Sequence, residues 1–194
     1  RDRPPSSKLP ETQMILTAGF RKLVATFREI SSKYKPVRHF LVYSVAWSEA
    51  AVASLPLIAT TYMTDYLKFT SQEIGITLLM TMIGGMPGSY VGYYFSRLYQ
   101  NPVRSAQLCL VVFTITTLLA GMLLRPDNKH WIYVFAIVWG MCEGWLRPQN
   151  ITIFVTIAPV EKGAVELMGL FIFFRNVMTF FPPMLFTILN EFGV

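Results

Sequence analysis

Apolar residues fall in long blocks along this chain, not in short alternations. Five blocks stand out, over roughly 39–63, 74–96, 105–124, 131–157 and 164–190. Each is close to or above the ~20 residues that an α-helix needs to cross a hydrocarbon core. A different pattern precedes them. Over residues 12–34, Leu16, Phe20, Leu23, Val24, Phe27 and Ile30 recur at helical spacing, with Arg21, Lys22, Arg28 and Lys33 among them. The pattern predicts an all-α, polytopic membrane protein. Residues 1–37 form a cytosolic linker carrying one amphipathic helix, and residues 38–194 form a transmembrane domain. Residues 1–10, rich in Pro, Ser and charge, read as flexible linker. The amphipathic helix has two possible seats, the headgroup layer of an anionic leaflet or the protein's own cytosolic face.

Polar breaks divide the blocks. Asp65, Lys68 and Glu73 mark the first connection, and Asn101-Pro102, between Arg97 and Arg104, marks a tight turn. Arg125-Pro126-Asp127 closes the third span, and Ala158 to Gly163 makes the next turn. In the second span Gly84, Gly88 and Gly92 share one helix face, which lets a neighbouring helix approach closely. Pro182-Pro183 predicts a kink in the fifth.

Composition agrees. Hydrophobic residues make up 53% and charged residues only 14%, against the roughly 25% usual in soluble domains. The formal charge of +6 sits at one end, because residues 1–38 hold nine Lys/Arg and three Asp/Glu while the remainder balances. A basic flank on a membrane domain suits a bilayer surface, and no nucleic-acid partner is expected. With the N-terminus in the cytosol, the inside segments hold twelve basic residues and the outside connections three, Lys68, Arg125 and Lys129, as the positive-inside rule requires. Trp131 and Tyr133 then anchor the outer interface. Cys109 and Cys142 lie in apolar segments without a Cys/His cluster, so neither a disulfide framework, a metal site nor a cofactor is expected.

The densest chemistry is Trp139-Gly140-Met141-Cys142-Glu143-Gly144-Trp145-Leu146-Arg147-Pro148-Gln149-Asn150, inside the fourth span. Ionisable groups in lipid are costly and are functional candidates by default. From helical rise, Glu49, Glu143 and Arg175 each lie about 15–18 Å deep, near the middle of a core about 30 Å thick. Transporter binding sites occupy that depth. Arg175 suits a carboxylate, whose two oxygens match a guanidinium fork. Glu49 or Glu143 suits a proton or a cationic group on a solute. The alternative is a structural pair, with Arg175 neutralised by one glutamate. Trp47, Trp139 and Trp145, with Tyr43, are candidate cavity walls, although aromatic residues in spans also pack and anchor. Arg147 is assigned a gating or structural role, with room to snorkel toward the cytosolic end of its helix. Arg97, Arg104, Glu166 and the three glycines are assigned structural roles, with Glu166 at the positive end of its helix dipole. Trp47-Ser48-Glu49 is faintly echoed by Trp139 and Glu143 three spans later, the period of inverted transporter repeats.

Several pieces together resemble a known family. Gly92-Tyr93-Tyr94-Phe95-Ser96-Arg97, followed by Arg104, is similar to a degenerate Gly-xxx-Asp-Arg-x-Gly-Arg loop of the major facilitator superfamily, with Ser96 in place of the acid. Within that superfamily the chain resembles the autophagy-related vacuolar effluxers. The resemblance is carried by Tyr62-Met63-Thr64-Asp65-Tyr66-Leu67, Gly144-Trp145, Pro148-Gln149, Ala158-Pro159, Glu166-Leu167-Met168-Gly169-Leu170 and Pro182-Pro183. It covers about 38–194. Arg147 and Asn150-Ile151 depart from the family pattern, which bears on the solute more than on the fold. The likeness implies the carboxy-terminal half of a major-facilitator-type bundle, five spans visible and a sixth to follow. It also implies a missing N-terminal half of the same polypeptide that supplies the other wall of the path.

The function implied is secondary transport of small zwitterions, amino acids above all, exported from a vacuole- or lysosome-like lumen to the cytosol by alternating access. Two rivals stay open: transport of another solute, such as a sugar or an organic anion, and a non-transporting scaffold or receptor on the same fold. An enzyme is not expected. No Ser/His, His/Glu metal or paired-Asp arrangement is present, and His39 and His130 sit at span edges.

Overall fold

Helices account for nearly all of the computed structural model, which describes residues 15–158 and 164–191. The linker expected over 1–10, the start of the amphipathic helix and most of the turn from Ala158 to Gly163, with Lys162, lie outside the described residues. The elements are α1 (Ile15–Lys33), α2 (Lys35–His39), a π-helical stretch (Phe40–Val45), α3 (Ala46–Asp65), α4 (Ser71–Tyr99), α5 (Pro102–Leu123), a 3₁₀ turn (Pro126–Trp131), α6 (Ile132–Ile157), α7 (Ala164–Val177) and α8 (Phe181–Glu191).

Four segments are long and apolar enough to cross a membrane: Lys35–Asp65, Ser71–Tyr99, Pro102–Leu123 and Glu166–Leu189. They match the first, second, third and fifth expected spans. The fourth, α6, has the length at 26 residues but is not among them. Glu143, Arg147, Gln149 and Asn150 dilute its apolar character. The fifth span is not one smooth helix. It breaks at Met178-Thr179-Phe180, just ahead of Pro182-Pro183, into α7 and α8.

Local sequence explains the element starts. Thr70 and Glu73 form a reciprocal capping box: the Thr70 N–H donates to Glu73 Oε2 at 2.8 Å, and Thr70 Oγ1 accepts from the Glu73 N–H at 3.4 Å. Each satisfies a backbone donor that the first turn of α4 would leave orphaned. At the next turn Gln100 adopts a left-handed conformation (φ 49°), Asn101 Oδ1 accepts from the Val103 and Arg104 N–H groups, and Pro102 opens α5.

The two connections expected outside lie together. Lys129 Nζ bonds Glu73 Oε1 at 3.1 Å and sits 5.0 Å from the Phe69 ring centre. The Tyr62 hydroxyl donates to the Leu124 carbonyl at 3.0 Å. Trp131 is exposed, and Tyr133 stacks on Phe69.

Two apolar cores hold the helices. One joins α3, α4, α5 and α6 around Met63, Phe113, Phe135, Trp139 and Trp145. The other joins α1, α2, the π-helical stretch, the end of α6 and α7 around Ile30, Leu41, Phe154, Leu170 and Phe171. Of the two seats open to α1, contact with the protein's own helices is therefore realised on one of its faces: Phe27 meets Phe174 with ring centres 5.0 Å apart, and Lys22 pairs with Glu166.

Candidate functional site: paired charges on one face of α6

The seam between α4 and α6 comes first, because it fixes how α6 is turned. Gly84 and Gly88 lie against the backbone carbonyls of Ile137 and Met141, and Gly92 lies against the Trp145 side chain. From the other side Gly140 and Gly144 lie against the carbonyls of Thr81 and Gly85. A Cβ at any of the five would collide, so the glycines permit an approach that no side chain allows. Pro148 has no N–H, which frees the carbonyl of Gly144 one turn back. The Ser89 hydroxyl of α4 donates to that carbonyl at 3.0 Å. Gln149 Nε2 and the Ser105 hydroxyl both donate to the Gly92 carbonyl, at 2.9 and 3.3 Å. The glycine stripe read from sequence lies in this seam.

With that side of α6 committed, another face turns toward α3 and α7. Glu143, Arg147 and Asn150 recur at spacings of four and three, so they line one face. Asn150 is buried, and its Nδ2 donates to Glu49 Oε1 at 3.0 Å. Arg175 Nε, from α7, donates to Glu49 Oε2 at 3.1 Å. The Glu49 carboxylate is 1% exposed, and each of its oxygens has a donor. Asn150 also lies 3.5 Å from the Ser48 hydroxyl. Three helices therefore meet at one carboxylate.

Glu143 pairs instead with Arg147, one turn along its own helix. Of the three midplane charges expected to converge, Glu49 and Arg175 do so directly, while Glu143 belongs to a second pair on the same face of α6. Arg147 reaches back along α6 to Glu143. Its Nε is buried without a hydrogen-bond partner, as is Gln149 Oε1. The two pairs differ in access: side-chain exposure is 28% and 2% for Arg175 and Glu49, but 41% and 25% for Arg147 and Glu143.

The tryptophans separate. Trp139 is buried, donates from Nε1 to Thr117 Oγ1 at 3.2 Å, and borders a small apolar cavity of about 160 Å³ with Tyr62, Ile132 and Phe186. Trp145 is buried, donates to Ser105 Oγ at 2.9 Å and stacks on Phe95 at 5.1 Å. Trp139 reaches α5, and Trp145 reaches α5 and α4. Trp47 is half-exposed, edge-on to Phe181 at 5.9 Å. The echo between Trp47 and Trp139 is therefore not one of environment. Arg97 and Arg104 are exposed at the α4–α5 turn, and Tyr43 is exposed near the π-helical stretch. Glu166 stands in the first turn of α7, where the helix dipole favours it, and also holds Lys22. Cys109 and Cys142 are free and buried, and Cys109 Sγ donates to the Cys142 carbonyl at 3.3 Å.

Asn150 is the site residue that sequence reading left without a role. Its signal is position: a buried amide three residues from Arg147 and seven from Glu143 shares their helix face.

A helical bundle with several segments fit to cross a bilayer, and charges paired within it, defines a polytopic membrane protein. The chain belongs to the family of vacuole effluxers like Atg22, whose family model matches residues 1–191. It is therefore placed in a family of membrane transporters. No curated protein and no solved structure matches it.

Proposed function

We propose that this chain forms one wall of a path that carries small zwitterions, amino acids above all, from a vacuole- or lysosome-like lumen to the cytosol by alternating access. The N-terminal arm is cytosolic in this reading, and the opposite wall comes from the other half of a longer polypeptide. The observation that carries it is a set of two acid–base pairs within a membrane bundle: Glu143–Arg147 on α6, and Glu49–Arg175 between α3 and α7, joined to α6 through Asn150. Two acids and two bases sum to zero, which suits a solute that is itself neutral overall but carries both signs. A carboxylate matches a guanidinium in two hydrogen bonds, and an ammonium matches a carboxylate.

Exposure divides the work between the pairs. Glu143 and Arg147 are open enough to exchange each other for solute groups, and the orphaned Arg147 Nε is a donor in want of an acceptor. Glu49 has no free oxygen, so in this state it holds Arg175 and Asn150 in place. Solute release or arrival at Arg175 would unlatch α3, α6 and α7 from one another, which is the kind of discrete rearrangement alternating access needs.

The experiment is efflux of labelled amino acids from vesicles carrying the full-length protein, with a sugar and an organic anion run in parallel. Efflux of amino acids that falls at least tenfold in Glu143→Gln and in Arg147→Gln supports the reading. Movement of the sugar or the organic anion alone replaces the solute. Unchanged transport in Glu49→Gln, Glu143→Gln and Arg175→Gln over the whole pH range ends the idea that these charges serve the path.

A further inference from the structure

The two edges of α1 are treated differently by the rest of the chain. On one edge the basic residues are neutralised: Lys22 pairs with Glu166 and Lys33 with Glu29. The stripe between, with Thr26 and Ile30 buried and Phe27 against Phe174, packs on α7. The other edge carries Arg21 and Arg28, seven residues and so two turns apart, or roughly 10 Å along the axis. Neither has an ion-pair partner among the described residues. Beside them the apolar stripe runs wider than its cover, leaving Phe20 61% and Val24 47% exposed.

Arg28, Ser31 and Ser32 lie beside Val24 and Phe27 on the open surface of α1. This surface offers a guanidinium and two hydroxyls beside apolar side chains. Its place along the chain decides what is near it. Ser32 is three residues ahead of Lys35, where the first membrane-crossing segment begins. This surface therefore lies next to the start of the first candidate membrane-crossing segment.

We infer that this edge of α1 is a docking site for an anionic phospholipid headgroup. The phosphate is held by Arg28 with Ser31 and Ser32, Arg21 adds a second positive charge two turns away, and Phe20 and Val24 rest against the acyl boundary. Charge complementarity favours an anionic leaflet over a neutral one, because a free guanidinium near such a surface gains about 1 kcal/mol that the neutral lipid does not supply. Apolar flank and basic edge on one helix are the two elements of interfacial binding, which combine area burial with attraction to anionic lipid. The site does not depend on which solute the protein moves.

The test uses the full chain in detergent, with lipid binding followed by native mass spectrometry for phosphatidylserine, phosphatidylcholine and inorganic phosphate separately. Phosphatidylserine should bind more tightly than phosphatidylcholine. Arg28→Gln should weaken it about fivefold and Arg21→Gln/Arg28→Gln roughly thirtyfold. Arg28→Lys should keep most of the affinity, and Arg104→Gln, at another exposed turn, should leave it unchanged. The variants alter exposed, unpaired side chains, so their unfolding temperatures should match the wild type. Equal binding of phosphatidylserine to the double variant overturns the proposal. An equal loss in Arg104→Gln overturns it too, by reducing the effect to overall charge. Full displacement of the lipid by millimolar inorganic phosphate makes this a site for the free ion and also overturns it.

Discussion

Two faces of α6 hold it in opposite ways. Toward α4 it is bare backbone: Gly140 and Gly144 rest on α4 carbonyls, and Gly84 and Gly88 return the contact. Toward α3 and α7 it carries Glu143, Arg147 and Asn150, and the contact is a carboxylate shared by an amide and a guanidinium. The first face works by shape. Its energy is close packing of backbone on backbone, with the Ser89 and Gln149 hydrogen bonds added to it. The second works by charge, and charged groups change partners when a competing ion arrives. In the transport cycle proposed above, the glycine seam would keep α4 and α6 together, and the polar face is where they would part from α7.

That contrast can be broken or sharpened by substitution, read as thermal unfolding of the full-length protein in detergent. Glu49→Ala should cost the most, about 3–5 kcal/mol, because it strands Arg175 beside a buried amide. Glu49→Met with Arg175→Met should recover most of that stability and abolish transport. A double variant as unstable as the single one would mean that the face is held by more than its charges. Gly88→Ala should cost about 1–3 kcal/mol, since the new Cβ meets the Met141 carbonyl and the helices must part. Stability unchanged at Gly88 would show that the seam is looser than its geometry. Ser89→Ala should cost about 0.6 kcal/mol, the usual worth of a hydrogen bond within a membrane bundle, by leaving the Gly144 carbonyl without its donor. Glu143→Gln should cost least, at most about 0.5 kcal/mol, because its pair is partly exposed and lies within one helix. Yet its effect on efflux should exceed that of Ser89→Ala by an order of magnitude. If stability and efflux fall in step across all four, the division between a packing face and a working face is wrong.

Residues distant in sequence are where reading the chain alone ran out. The glycine stripe was legible because spacing of four on a helix defines a face, and small residues on a face have one main use in a membrane. The charged residues were legible as candidates because their cost in lipid is independent of their partners. Their partners were not legible. Glu143 lies four residues from Arg147, and the sequence contains that pair openly, but depth alone drew Glu143 toward Arg175. Local geometry won, since an i, i+4 pair meets at no cost in chain closure. The tryptophans were ambiguous for a related reason. An indole is large, apolar and polar at one edge, so it serves equally in a cavity wall and in a core. Trp139 and Trp145 found hydroxyl partners on α5 and went into the core.

By itself the sequence determined that the chain is helical, that it is a polytopic membrane protein, which helix has a glycine face, and which family it resembles. These follow from local rules: apolar length, helical period, capping residues and motif order act within one segment or one turn. Only the tertiary structure decided that Glu49 takes Arg175, 126 residues away, together with Asn150, leaving Glu143 to Arg147. It alone decided that one edge of α1 is covered and the other free. The reason is that partnership between helices depends on how each is turned about its axis, and that turn is set by the best packing of all of them at once.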